Sequence, residues 1–350
     1  MAERVFLHVG APKSGTTFLQ TVMWENREGL AERGVLIPGR RRYDLNLMAK
    51  AVRTDLGYDS NPGPAAKVWR RVAKQTRNWQ GTAVISNEWL SLASADQAGN
   101  VIDAVAPAVV HVVFTARAFP DLVTAAWQET LKLGWSIPLN QFIDDLDIEG
   151  ERWSWSTMDP SLVLARWGNQ LPTQRVHVVT VPPRGSDPLL LWRRFAGLCG
   201  IDADTCDTSG GDRNESLTVE SARLLQLLGP LLRDAVDADT GERWESHRWI
   251  RRYLANTVLI DRGRHRIRLA DTELAVIRER TAASVGALRA AAYSIVGDLE
   301  ELSGDEPPPE GRHPESVTAE ELLEIAGPVI ADLLRRVREN SPRPEAAETE

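Results

Sequence analysis

Val5-Phe6-Leu7-His8-Val9-Gly10-Ala11-Pro12-Lys13-Ser14-Gly15-Thr16-Thr17-Phe18-Leu19 is the stretch on which the fold turns. Residues 5–9 are mostly apolar and read as a strand that stops at Gly10. Over residues 16–30, Phe18, Leu19, Val22 and Met23 recur at the spacing of one helix face. A strand that passes through a glycine-bearing loop into a helix can cradle an oxyanion. Glycines let the backbone curl, and the first N–H groups of the helix supply donors and positive potential. Lys13 adds a full charge. Lys13, Ser14, Gly15, Thr16 and Thr17 are therefore candidate anion-binding residues.

Outward from that stretch, three more short apolar runs follow, at residues 83–86, 109–115 and 175–181. The run at 109–115 is apolar on both faces, as a buried parallel strand should be. A helical pattern containing Val68, Trp69 and Val72 precedes the second run, and another over 121–133 follows the third. Strands alternating with helices predict an α/β fold, with a mainly parallel sheet flanked by helices. The second half is mostly helical in pattern, over 188–198, 217–236, 242–258 and 272–293, and these helices are expected on or beside the sheet. One domain is thus expected over residues 1–303. Pro307-Pro308-Pro309 and several charges mark a linker over 304–316. Residues 317–340 read as one amphipathic helix, an appendage or a contact for a homo-oligomer, and 341–350 as a disordered acidic tail.

Bulk composition narrows the function. With 43% hydrophobic and 26% charged residues, the chain reads as an ordinary globular protein. A net charge of -8 argues against nucleic acid as partner, because that needs a basic face. An anionic ligand must then be held by a few placed cations. Two cysteines, Cys199 and Cys206, make neither a disulfide framework nor a zinc site. No run approaches the ~20 apolar residues of a transmembrane span, and the N-terminal residues lack a leader's apolar segment, so a cytoplasmic protein is expected.

The loop has the glycine spacing of a nucleotidase loop but not its lysine. Such a loop ends in Gly-Lys-Ser/Thr, with the lysine on the terminal phosphates and the hydroxyl on magnesium. Here Gly15 is followed by Thr16-Thr17, and the lysine lies two residues before that glycine. The strand at 109–115 leads into Ala116-Arg117 rather than into a magnesium-holding aspartate. Pro12-Lys13-Ser14-Gly15-Thr16-Thr17 resembles the 5′-phosphosulfate loop of the sulfotransferases that use 3′-phosphoadenosine 5′-phosphosulfate (PAPS). Thr115-Ala116-Arg117, Trp127-Gln128-Glu129, Leu191-Trp192-Arg193-Arg194-Phe195, Asn214-Glu215-Ser216-Leu217 and Val296-Gly297-Asp298-Leu299 resemble an actinobacterial branch of that family. The resemblance spans residues 4–302. It implies PAPS as co-substrate, no required metal, and in-line sulfuryl transfer with Lys13 at the leaving phosphate.

That family's 3′-phosphate segment is matched by Arg117 and the helix after it. A guanidinium fork suits a phosphate dianion, and an ion pair with Asp121 is the competing role. Eight residues after this arginine the family has a serine, where this chain has Ala125. Thr124, or Arg213 and Asn214, or the basic run at 262–266, are the candidates to replace it; for that run a solvated surface is the favoured reading.

A hydroxyl acceptor must lose a proton, so a general base is expected nearby. Glu88 emerges at the end of the second strand beside Trp89, and is either that base or a helix cap or ion-pair partner. His8 and His111 lie within strands and read as hydrogen-bonded core residues. Glu129 and Lys132, three apart on a helix, read as a surface pair. Among twelve tryptophans, Trp153 and Trp155 are candidates to wall an acceptor pocket for a small molecule, glycan or glycolipid. Two other functions stay open: an ATP-dependent phosphotransferase, and a non-catalytic nucleotide-binding relative.

Overall fold

Alternating apolar runs and helix-period segments assemble as the pattern requires. The computed structural model describes residues 2–53, 63–210, 216–237, 245–304 and 310–340. Six strands, β1 (Ala2–His8), β2 (Val35–Leu36), β3 (Gly81–Ser86), β4 (Val109–Ala116), β5 (Val176–Thr180) and β6 (Ser294–Val296), form one sheet in the order β2-β3-β1-β4-β5-β6. Every pairing is parallel. The fold is α/β, as expected.

β1 lies between β3 and β4, and its alternate residues enter different layers. Val5, Leu7 and Val9 join one core, where Val112, Phe114, Val178 and Ile85 meet α3 (Asp44–Val52), α4 (Gly63–Asn78), α5 (Ala95–Ala104), α9 (Pro160–Trp167) and α12 (Asp271–Ala291). Phe6 joins the other, with Val84, Val113 and Val179 against α1 (Thr16–Glu25), α2 (Arg27–Glu32) and α10 (Leu190–Cys199). Both faces of the sheet are covered, which is why its strands read as continuous apolar runs. In chain order α6 (Phe119–Leu131), α7 (Leu139–Asp145) and α8 (Trp155–Met158) fall between β4 and α9.

Several expectations need correction. The helix expected over 16–30 is two helices, separated at Asn26, whose side-chain amide donates to the Val22 carbonyl at 2.8 Å. By contact the described residues form two compact units, the second gathering those within 127–139, 216–270 and 310–340. Two of the helices expected on or beside the sheet, α11 (Val219–Asp237) and the π-helix Ser246–Val258, belong to this second unit. So does α13 (Ala319–Asn340), the expected appendage, which packs on α11.

Residues 310–316 are no free linker. The Arg312 N–H donates to the Arg266 carbonyl at 2.8 Å, the Arg268 N–H donates to the Arg312 carbonyl at 2.9 Å, and Pro314–Ser316 forms a 3-10 turn. The expected tail at 341–350 lies outside the described residues. Cys199 and Cys206 are free, and burial pushes the Cys199 thiol pKa up. Among the described residues, no helix is long and apolar enough to cross a membrane.

Candidate functional site

The loop between β1 and α1 is laced to β4 before it turns. The Val9 N–H donates to the Val113 carbonyl and the Ala11 N–H to the Thr115 carbonyl, both at 2.9 Å, while the Thr115 N–H donates to the Gly10 carbonyl at 2.7 Å. The chain then passes Lys13 at φ 66° and Gly15 at φ 82°, two left-handed positions. A lysine rarely takes this conformation. At Gly15 the left-handed φ favours glycine, and an added Cβ would fall 2.5 Å from Leu191 Cδ2, whose side chain would have to shift. α1 begins immediately afterwards, and no side chain caps it. Its first carbonyl-paired amide is Leu19, which donates to Gly15 at 3.2 Å, so the N–H groups of Thr16, Thr17 and Phe18 precede the helical ladder.

This loop opens on a cavity of about 430 Å³. Lys13 and Gly15 form one wall. Arg117, Ala118 and Asp121, following β4, form the second, and residues 181–184, following β5, form the third with Glu300, Glu301 and Gly304. The cavity therefore lies beyond the carboxyl ends of adjacent parallel strands, where open α/β sheets bind ligands. Its volume falls within the range of small-molecule sites.

The acids that line it are each paired with arginine. Asp121 lies 2.6 Å from Arg184 and 3.6 Å from Arg117. Glu301 accepts from Arg194 at 2.7 and 2.9 Å, and Glu300 is paired with Arg289. Arg117 also donates to the Lys13 carbonyl at 3.0 Å, so the loop and the strand-end arginine brace each other. Desolvation works against the Arg117 cation and lowers its pKa, while Asp121 works to restore it. Both expected roles of Arg117, cavity cation and partner of Asp121, coexist geometrically.

Not every expected ligand residue reaches the cavity. Ser14 is completely buried; its hydroxyl donates to the Ala11 carbonyl at 2.5 Å and lies 2.6 Å from Thr115 Oγ1. Its side chain thus braces the loop from below and leaves only its backbone for an anion. Thr16 is buried and Thr17 half-buried in the first turn. Thr124 turns its hydroxyl back onto its own helix, toward the carbonyls of Pro120 (3.0 Å) and Asp121 (3.2 Å), and does not line the cavity. Arg213 and Asn214 lie outside the described residues. In the second unit, the basic run at 262–266 has Arg262 paired with Asp332 and His265 beside Glu220, while Arg264 and Arg266 are exposed.

Glu88 stands at the tip of β3, next in the sheet to β1. Its helix-cap role is taken by Asn87, whose side chain accepts from the Trp89 N–H at 3.1 Å. Glu88 instead accepts from the Gln20 side-chain amide of α1 at 2.8 Å. Trp153 meets Trp89 edge-on at 5.7 Å, and the Arg152 guanidinium sits 4.0 Å from the Trp89 ring centre. Trp155 is core, stacked on Phe119 at 5.5 Å.

His8 is a core residue, as expected, and so is His177, which lies 2.9 Å from His111 Nδ1. Burial lowers the pKa of His8 to about 4, partly opposed by the Gly10 carbonyl. The expected surface pair is not one. In the second unit Glu129 and Lys132 are both buried, 3.5 Å apart, with Arg251 2.9 Å from Glu129. Arg184 and Gln20 were not singled out from sequence. Arg184 follows Pro182-Pro183 at a strand end, a position that signals a crevice residue once the strand order is known.

No protein-family model matches the chain, and no curated protein matches it. Among solved structures, that of a sulfotransferase from Alicyclobacillus acidocaldarius aligns with a TM-score of 0.40 and 15% identity, covering 72% of this chain and 97% of that one. A likeness of that degree carries no inference about activity.

Proposed function

We propose that this chain is a sulfotransferase that moves a sulfuryl group from PAPS to a hydroxyl or amine of a small-molecule, glycan or glycolipid acceptor. One observation carries the reading. The left-handed turns at Lys13 and Gly15 aim an uncapped helix start at a cavity that also holds Arg117 and Arg184. Two phosphate groups at opposite ends of a nucleotide need two separate cationic stations, and Lys13 with the loop amides, and Arg117 with Arg184, supply them. The loop's resemblance to a 5′-phosphosulfate loop points the same way.

In this reading the sulfur–oxygen bond to the 5′-phosphate breaks as a new one to the acceptor oxygen or nitrogen forms. The electron pair stays on the phosphate oxygen, where Lys13 and the first amides of α1 meet the growing charge; loss of one such preorganised donor costs about 10²–10³ in kcat. The acceptor's proton passes to the Glu88 carboxylate, which Gln20 holds by one hydrogen bond.

Calorimetry with the desulfonated product, 3′-phosphoadenosine 5′-phosphate (PAP), tests the site. Micromolar binding without magnesium, lost in Lys13→Ala, is expected. Binding that requires magnesium and prefers ATP would replace this reading by a phosphotransferase, and no nucleotide binding at all would refute it. Arg117→Ala should weaken PAP far more than adenosine 5′-phosphate. A screen of acceptors with labelled PAPS, scored by product mass, then identifies the substrate.

A further inference from the structure

A continuous line of hydrogen bonds runs from Glu88 to the loop between β1 and α1, through Ser86, His8 and Thr115, to which the function above assigns no role. Gln20 Nε2 lies 2.8 Å from Glu88 Oε2 and 3.3 Å from Ser86 Oγ. Ser86 Oγ lies 2.8 Å from His8 Nδ1, and His8 Nε2 lies 3.1 Å from Thr115 Oγ1. Thr115 Oγ1 in turn lies 2.9 Å from the Gly10 carbonyl and 2.6 Å from Ser14 Oγ, which donates to the Ala11 carbonyl. The line crosses β3, β1 and β4, because His8 pairs in register with Ser86 on one side and Val113 on the other.

Counting hydrogens gives this line a direction. Thr115 and Ser14 have one hydroxyl hydrogen each, yet they make three contacts with each other and with the Gly10 and Ala11 carbonyls. With Thr115 donating to the Gly10 carbonyl and Ser14 to the Ala11 carbonyl, both hydroxyl hydrogens are spent, and the imidazole can donate to Thr115 through Nε2. His8 is neutral at ordinary pH, so its other nitrogen, Nδ1, is an acceptor and takes the Ser86 hydroxyl hydrogen. Ser86 Oγ is then free to accept from Gln20. The two N–H bonds of the Gln20 amide are thereby shared between Ser86 and Glu88, and the donors from Gln20 through Ser86 and His8 to Thr115 point one way.

We infer that Gln20 is a positioning residue: its amide, anchored to the phosphate loop through Ser86, His8, Thr115 and Ser14, holds the Glu88 carboxylate in place for proton transfer. The inference rests on the reading of Glu88 as base and the loop as donor site. A networked amide has one orientation, whereas an isolated glutamine rotates, and a buried network fixes geometry only when all its members are satisfied. A carboxylate half-exposed at a strand tip needs such a partner, since small displacements of a catalytic group reduce rates sharply.

The test is a double-mutant cycle on the full chain, with Gln20→Met and Glu88→Gln. Methionine keeps the length of the side chain and removes both N–H donors. The readout is PAP release from PAPS with water as acceptor, together with calorimetric PAP affinity. Gln20→Met should lower kcat at least tenfold and leave KM for PAPS and the PAP Kd within about twofold. In the Glu88→Gln background it should lower kcat no further, because a residue acting through Glu88 has nothing left to position. Equal losses in both backgrounds, or no loss in the wild-type background, overturn the inference. If Glu88→Gln itself leaves kcat unchanged while PAP still binds, the base assignment fails instead.

A measurement independent of turnover is the NMR signal of the Gln20 side-chain amide. It should be shifted from the free-amide position, slow to exchange, and moved by Glu88→Gln. A free-amide signal indifferent to that substitution also overturns the inference.

Discussion

Lowering the pH should loosen the floor of the loop between β1 and α1 through His8. His8 is fully buried, and desolvation lowers its pKa from 6.5 to about 4. Between those values the unfolded chain binds a proton at this position that the folded chain does not. Stability therefore rises with pH across this window and is lost as pH falls below 6.5. From pH 8 to pH 5 the single histidine contributes a loss of about 2 kcal/mol, approaching about 3 kcal/mol below pH 4.

The assay is urea unfolding of the wild type and of His8→Gln at both pH values. Stability should fall by about 2 kcal/mol less in the variant, because glutamine does not titrate. The imidazole of His8 in the folded protein should show no titration between pH 5 and 8 by NMR. An inflection near 6.5, or equal pH losses in the two proteins, would refute both the burial argument and the hydrogen count that makes His8 a neutral donor to Thr115.

Two further outcomes follow from local geometry. Gly15→Ala meets a left-handed φ of 82° and Leu191 Cδ2 at 2.5 Å; it should destabilise the chain by about 2–3 kcal/mol in thermal unfolding and weaken PAP as the loop shifts. Asp159 is buried, accepts from Arg280 at 2.9 Å and Ser284 at 2.6 Å, and caps α9. Asp159→Ala should cost about 3–5 kcal/mol by denaturant titration, because it strands the Arg280 charge, and should leave PAP affinity within twofold.

Much of the fold was legible because its signals are local. A glycine-bearing loop between an apolar run and a helix period describes β1 and α1 without reference to the rest of the chain. The run at 109–115, apolar on both faces, announces an interior parallel strand in the same way. β2 and β6, with two and three residues, are too short for any periodicity to register. Glu129 and Lys132 show the opposite failure. Their spacing on one helix describes a solvated pair, and the burial of both, with Arg251 at their side, comes from packing in a unit whose segments are far apart in sequence.

From the order of residues alone came the α/β class, the glycine-bearing loop and its lysine, the strand-end arginine and the glutamate at the neighbouring strand tip. Each depends on a strand ending where chemistry begins. Tertiary contact settled the direction in which those side chains act. Ser14 faces Thr115, 101 residues away in the chain, rather than an anion. Thr124 closes onto its own helix, Arg184 joins Arg117 at Asp121, and Gln20 reaches Glu88 across two sheet tips. A hydroxyl or amide takes whichever partner the fold brings within 3 Å, and that choice is made by strand order and register rather than by neighbours in sequence.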